Sequence, residues 1–108
     1  MAATVINSNL LGSLRQKVID MADHARYREG GAWQTSPIET KTIRDNGSIQ
    51  IDFYIRKLAG YSVAERFQIL DANDNVLVER QESVAFTQYV SEILYRFKLS
   101  VSAAENNE

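Results

Sequence analysis

Apolar residues near the N-terminus recur at alternating steps of three and four, the spacing of one face of an amphipathic helix. An asparagine or serine among residues 7 to 9 can act as N-cap, and Gly30-Gly31 allows a left-handed stop. The pattern predicts a helix from Asn7 to Glu29. The apolar positions of its face are Leu11, Leu14, Val18, Met21 and Ala25.

Between residues 48 and 58 apolar and polar residues alternate, which indicates a half-buried strand. Asn46-Gly47 favours a type I′ turn, so residues 38 to 45 should run antiparallel to it, with Lys41 opposite Asp52. The polar composition of residues 38 to 45 favours an edge strand. The apolar set is Ile49, Ile51, Phe53 and Ile55, and Thr40, Thr42 and Arg44 are predicted to face the same way.

After Ser83 the apolar residues return to helical spacing, which predicts a second helix over residues 84 to 98. The spacing of apolar residues, the N-cap and the residue sizes all fit a helix there. The main apolar stripe of this helix should therefore be the most buried set in the C-terminal third. The stripe is Phe86, Val90, Ile93 and Phe97, widened by Tyr89 and Leu94.

Residues 71 to 82 carry oxygen-bearing side chains at the spacing of a calcium-binding EF-hand loop. The alternative interpretation is a β-hairpin, with strands from Glu65 to Leu70 and from Val76 to Arg80. Val76 stands where the sharp turn around the ion requires glycine, which favours the hairpin. The candidate calcium ligands are Asp71, Asn73, Asn75, Glu79 and Glu82.

These elements predict an α+β fold: an N-terminal helix, an antiparallel meander of about four strands and a C-terminal helix, with both helices on one face of the sheet. The length of 108 residues suits one domain, so a single domain over 1–108 is predicted. Residues 1–6 and 101–108 have little to bury and are expected to fray.

Composition narrows the classes of function. The 12 basic and 14 acidic residues give a net charge of −2, which argues against a nucleic-acid partner. The chain has no cysteine, which removes thiolate catalysis and cysteine zinc sites and favours a cytoplasmic location. No apolar run is long enough to predict a membrane span. The chain also lacks a glycine-rich phosphate-binding motif, so no cofactor is predicted.

Catalytic candidates are sparse. His24 is the single histidine, and on the predicted helix Asp20 lies one turn before it and Asp23 beside it. This pair could form a general base, but no nucleophile accompanies it. An enzyme that uses His24 or dispersed carboxylates is therefore the weakest of the functional hypotheses.

The leading hypothesis is a small protein-interaction module, such as an adaptor, assembly factor or inhibitor, that forms a homodimer. Exposed tyrosine and tryptophan are enriched at protein interfaces. The sheet face is the favoured dimer surface, and the apolar face of the first helix remains an alternative. The predicted interface residues are Asp52, Tyr54, Arg56, Trp33 and Tyr61.

Overall fold

The computed structural model describes residues 8–57 and 63–100 of the chain. These described residues form one α-helix and six β-strands, so this part of the protein is mostly β. The elements are α1 (Ser8–Met21), β1 (His24–Glu29), β2 (Ala32–Ile43), β3 (Ile49–Arg56), β4 (Val63–Leu70), β5 (Val76–Ala85) and β6 (Glu92–Leu99).

The six described strands form one antiparallel sheet in the order β5-β4-β1-β2-β3-β6, with β5 and β6 at the edges. The sheet curls into a half-barrel. Phe67 of β4 and Tyr95 of β6 lie four strands apart, about 19 Å in a flat sheet, yet their ring centroids are 3.9 Å apart. The curl therefore creates an inner face, where these rings meet, and an outer face.

The hydrophobic core lies on the inner face. Successive strand residues point to opposite faces, so alternate residues of each strand enter the core. Phe53 stacks with Phe97 in one half of the sheet and Tyr27 with Phe67 in the other, and the contact between Phe67 and Tyr95 joins the two halves. The predicted apolar set of β3 is confirmed as fully buried: Ile49, Ile51, Phe53 and Ile55.

Helix α1 packs on this core through Val18 and Ile19, and Ala22 just beyond its end is buried. The Lys41 ammonium donates a hydrogen bond to the Ala22 carbonyl at 2.7 Å, which satisfies an acceptor at the helix C-terminus. A helix on the apolar face of the sheet was predicted, and α1 is that helix.

The predicted first helix is too long, because α1 ends at Met21 and His24–Glu29 is strand β1. Burial in β1 alternates with period two, and both of its edges pair with neighbouring strands. Such tertiary pairing overrides local helix propensity. Gly30-Gly31, with φ of 59° and 83°, forms the two-residue turn between β1 and β2 and not a helix stop.

The predicted C-terminal helix is wrong, and with it the fold class of a four-stranded meander between two helices. Residues 84 and 85 end β5, and residues 92 to 99 form β6, which pairs with β3 along its whole length. Within the stripe, Phe86 and Phe97 are buried, whereas Val90 is exposed. Ile93 and Phe97 are four residues apart, which fits one face of a helix and equally one face of a strand.

The β2-β3 hairpin is confirmed, but its predicted register is wrong by one residue. Arg44 pairs with Ser48, and only Gly47 has a positive φ, so the loop has three residues and not two. Thr40 therefore pairs with Asp52, and Lys41 pairs with Ile51 on the inner face. Among the described strands, residues 38 to 43 pair only with β3, because β1 pairs with residues 32 to 37 of the same strand. This segment therefore has the predicted edge character, although β2 as a whole lies between β1 and β3.

The hairpin interpretation of residues 65 to 80 is confirmed, with strands β4 and β5 longer than predicted. The Asp71 Oδ1 atom accepts the backbone N-H groups of Asn73 and Asn75, each at 2.9 Å. This local bonding is what Asp contributes to turns.

Three predictions fall outside the described residues: fraying of residues 1–6, fraying of residues 101–108, and the interface residue Tyr61.

Candidate functional site

A cluster of cation-π contacts lies on the outer face around Trp33, whose exposed fraction is 38%. The Arg26 guanidinium lies 4.6 Å from the indole ring centroid, and that of Arg66 lies at 5.4 Å. Both distances fall within the range of cation-π attraction. Three strands contribute, since Arg26 belongs to β1, Trp33 to β2 and Arg66 to β4.

Side chains behind the indole hold both arginines in place. Arg26 Nε donates to Gln68 Oε1 at 2.5 Å, and Gln68 Nε2 donates to Glu79 Oε1 at 2.6 Å. Arg66 also donates to Glu79, from one terminal nitrogen at 3.1 Å. Hydrogen bonds from Gln68, Gln81 and Arg66 lower the pKa of Glu79. We call Arg26, Trp33, Arg66, Gln68 and Glu79 the Trp33 cluster.

Trp33 was recognisable from the sequence as a candidate interface residue, but its grouping with Arg26, Arg66, Gln68 and Glu79 was not. Alternation in β1 would have shown Arg26 to face away from the core, had those residues been recognised as a strand. Arg66 could not have been found that way, because it has φ of 54° at a bulge where β4 shifts register against β1 and β5.

Of the predicted interface residues, Asp52, Tyr54 and Arg56 lie in β3, and Tyr54 is half-buried on the outer face. Asp52 is 4% exposed and accepts hydrogen bonds from Arg96, Thr40 and Gln50. Arg56 pairs with Glu92 at 2.6 Å. Both ion pairs join β3 to β6, so Asp52 and Arg56 already have partners within the chain.

Burial of Asp52 would by itself raise its pKa, but its hydrogen bonds from Arg96, Thr40 and Gln50 have the larger combined effect. The pKa of Asp52 therefore lies below the ordinary value for an aspartate. Its carboxylate is ionised at neutral pH and stabilises the contact between β3 and β6.

The five candidate calcium ligands are not brought together. Asp71, Asn73 and Asn75 share the β4-β5 loop, where Asn75 Nδ2 also donates to Asp71 Oδ2 at 3.1 Å. Glu79 belongs to the Trp33 cluster, and Glu82 accepts the Tyr95 hydroxyl on the inner side at 2.5 Å. In the described part of the chain, no group of three or more His, Cys, Asp or Glu is placed to hold a metal ion.

The edges of the half-barrel approach each other through side chains of β5 and β6. Arg80 of β5 lies 5.0 Å from the Phe97 ring centroid, and the Tyr95 hydroxyl donates to Glu82. Burial and the bond to Glu82 raise the pKa of Tyr95. These contacts hold the curl, because the described strands β5 and β6 form no ladder with each other.

The His24 candidate does not have the predicted geometry. His24 lies in β1, and its two ring nitrogens are each 2.8 Å from a carboxylate oxygen, of Asp23 and of Asp74. Asp20, the predicted orienting residue, instead accepts a hydrogen bond from Gln16 on α1.

Helix α1 carries partly exposed apolar side chains at Leu10, Leu14 and Met21. This keeps the helix face available as the alternative dimer surface.

Among the described helical residues, none form a helix both long and apolar enough to cross a membrane. Comparisons of the chain with protein-family models, curated proteins and solved structures gave no match.

Proposed function

We propose that this chain is a small protein-interaction module, an adaptor, assembly factor or inhibitor, that forms a homodimer through the outer face of its sheet. The observation that carries the proposal is the Trp33 cluster. Tryptophan and arginine are the residue types most enriched among the side chains that dominate binding energy at interfaces. Here one indole and two guanidinium groups stand together at the surface.

The cluster is also ordered before a partner arrives. Binding costs about 0.5–1.5 kcal/mol for each flexible side chain that becomes immobilised. Gln68 and Glu79 already hold Arg26 and Arg66 beside the indole, so much of that cost is absent. Tyr54 of β3 is a second aromatic side chain on the outer face and is half-buried.

We centre the proposed interface on Trp33 and not on Tyr54. Asp52 and Arg56 are engaged in ion pairs within the chain, so they support the sheet and contribute little new bonding to a partner. Trp33 lies near the start of β2, opposite Arg28 of β1 and beside the Gly30-Gly31 turn, and a twofold contact there would bury both copies of the cluster.

Light scattering coupled to size exclusion tests the proposal. We expect a dimer for the wild type and a folded monomer for Trp33→Ala and for Tyr54→Asp. Tyr89→Ala is the matched control, since Tyr89 is an aromatic residue with an exposed fraction of 88% outside the strands, and it should stay dimeric. Trp33 is the chain's one tryptophan, so its fluorescence reports dimerisation directly.

Leu14→Asp distinguishes the alternative surface. Leu14 is 40% exposed, so this variant should fold and remain a dimer if the outer face is the interface. A folded monomer from Leu14→Asp with a persistent Trp33→Ala dimer would transfer the interface to α1. A wild type that is monomeric at every concentration, together with co-purifying proteins unaffected by Trp33→Ala, would overturn the proposal.

A further inference from the structure

A second candidate site lies on the opposite side of the sheet, between α1 and the inner face. The cavity there has a volume of about 340 Å³. Its walls come from α1, β3, β4, β5 and the end of β6, and among the described lining residues only Ser100 has a polar side chain. Representative wall residues are Val18, Ile51, Ile69, Val78 and Leu99.

The walls and the volume select the kind of occupant. Water needs two to four polar partners, and among the described lining residues only Ser100 offers a polar side chain. Apolar cavities of about 150 Å³ accept benzene. The present cavity has roughly twice that volume and falls within the usual size range of small-molecule sites. An aliphatic chain of about ten carbons suits this space.

A cation stands at the edge of the cavity. Lys41 lies directly opposite Ile51 in the β2-β3 ladder, and its ammonium bonds to the Ala22 carbonyl. Both Ile51 and Ala22 line the cavity. An ammonium has three donors, and none of the ion pairs among the described residues involves Lys41.

We propose that this cavity binds a free medium-chain aliphatic carboxylate. Its aliphatic chain lies among the apolar walls, and its carboxylate accepts a hydrogen bond from the Lys41 ammonium. The charge complements the ammonium, and charge-assisted hydrogen bonds of this kind are about twice as strong as neutral ones. The site is independent of the outer-face interface, since it uses the other face of the sheet.

Decanoate and decan-1-ol are the probes, followed through the isoleucine methyl signals of the intact chain. We expect decanoate to shift the Ile51 and Ile69 methyl signals saturably. Ile55 is the internal reference, because it is buried in β3 as Ile51 is but is not among the lining residues. Absence of a saturable shift at Ile51 and Ile69 would overturn the proposal.

Two substitutions separate the contribution of the probe's carboxylate charge from that of its aliphatic chain. Lys41→Met should weaken decanoate binding about tenfold, the size expected for a lost bond to a charged group, and leave decan-1-ol binding unchanged. Lys98→Met removes the same charge from an exposed position on β6 and should leave both affinities unchanged. Equal effects of Lys41→Met and Lys98→Met on decanoate would overturn the assignment of Lys41.

Val78→Phe fills the cavity from the edge strand β5 and should abolish binding of both probes while the chain stays folded. A folded Val78→Phe protein that binds decanoate as the wild type does would overturn the cavity as the site. If that variant does not fold, the comparison of Lys41→Met with Lys98→Met decides alone.

Discussion

On the inner face of the sheet, Phe53, Phe67 and Phe97 are fully buried and contact one another or Tyr95, whereas the outer face is held by polar side chains such as Asp52 and Arg96. Both faces belong to the same six strands. The inner contacts stabilise the fold because they remove apolar surface from water. The outer contacts contribute less, because they replace hydrogen bonds to water with hydrogen bonds within the chain. The inner face should therefore contribute most of the stability, and the outer face is the one available for protein contacts.

The largest expected effect is on the inner face of β6. Phe97 is 1% exposed, and Phe97→Ala should lower the free energy of unfolding by about 3–5 kcal/mol, because it removes buried apolar contacts and leaves a cavity. Leu94→Ala, on the same strand but the other face, is the matched control. Leu94 is 43% exposed, and its loss should cost far less. Urea denaturation measures both, and equal losses would contradict the comparison of the two faces.

The next effect is on the outer face. Asp52→Asn should lower the free energy of unfolding by about 1–3 kcal/mol, because the amide cannot replace the carboxylate as acceptor for Arg96, Thr40 and Gln50 together. Glu92→Gln is its control, since the Arg56–Glu92 pair joins the same two strands but is exposed, and no measurable change is expected. A larger loss from Glu92→Gln than from Asp52→Asn would show that exposed pairs control the outer face.

Acid should remove the Asp52 contribution. Its pKa is lowered in the folded chain, so its stabilisation is complete above the unfolded-state value, about 3.9, and is lost as the pH falls through the folded-state pKa. The difference in stability between wild type and Asp52→Asn should be constant at neutral pH and shrink below about pH 4. Denaturant curves from pH 7 to pH 2 test this. A difference that persists unchanged in acid would show that Asp52 acts through packing.

The smallest expected effect concerns the β4-β5 loop. The Asp71 carboxylate is already held by the Asn73 and Asn75 amides, and bonds from Asn75 lead the causes that lower its pKa. We expect millimolar calcium to leave the melting temperature unchanged. A bound ion would raise stability by about 2.7 kcal/mol at a hundredfold excess over its dissociation constant. A calcium-dependent rise that Asp71→Ala abolishes would restore the calcium hypothesis.

Residue type marked Trp33 as a candidate interface residue, and residue type together with strand alternation marked Tyr54. The sequence could not show that Arg26 and Arg66 flank the indole, because these residues are separated by 40 positions and meet through the pairing of β1 with β4. Asp52 was assigned to the interface, and the structure shows it bonded within the chain. Contacts between distant strands decided each of these outcomes.

Local chemistry determined what the sequence predicted correctly. The alternation of β3, the turn near Asn46-Gly47 and the Asp71 loop each depend on residues close in sequence, and each is present in the structure. The one-residue error in the β2-β3 register came from the loop length, which local residue types leave undecided between two and three.

Only the tertiary structure decided that the segments 24–29 and 92–99 form strands and not helices. Ala25 fits the helical spacing and also alternates with Arg26 in a strand, and the same holds for Ile93 and Phe97, four residues apart. A spacing of four residues returns to the same face of either element, so hydrophobic pattern alone cannot distinguish them. The ladders of β1 with β2 and β4, and of β6 with β3, supply backbone hydrogen bonds between distant segments and select the strand.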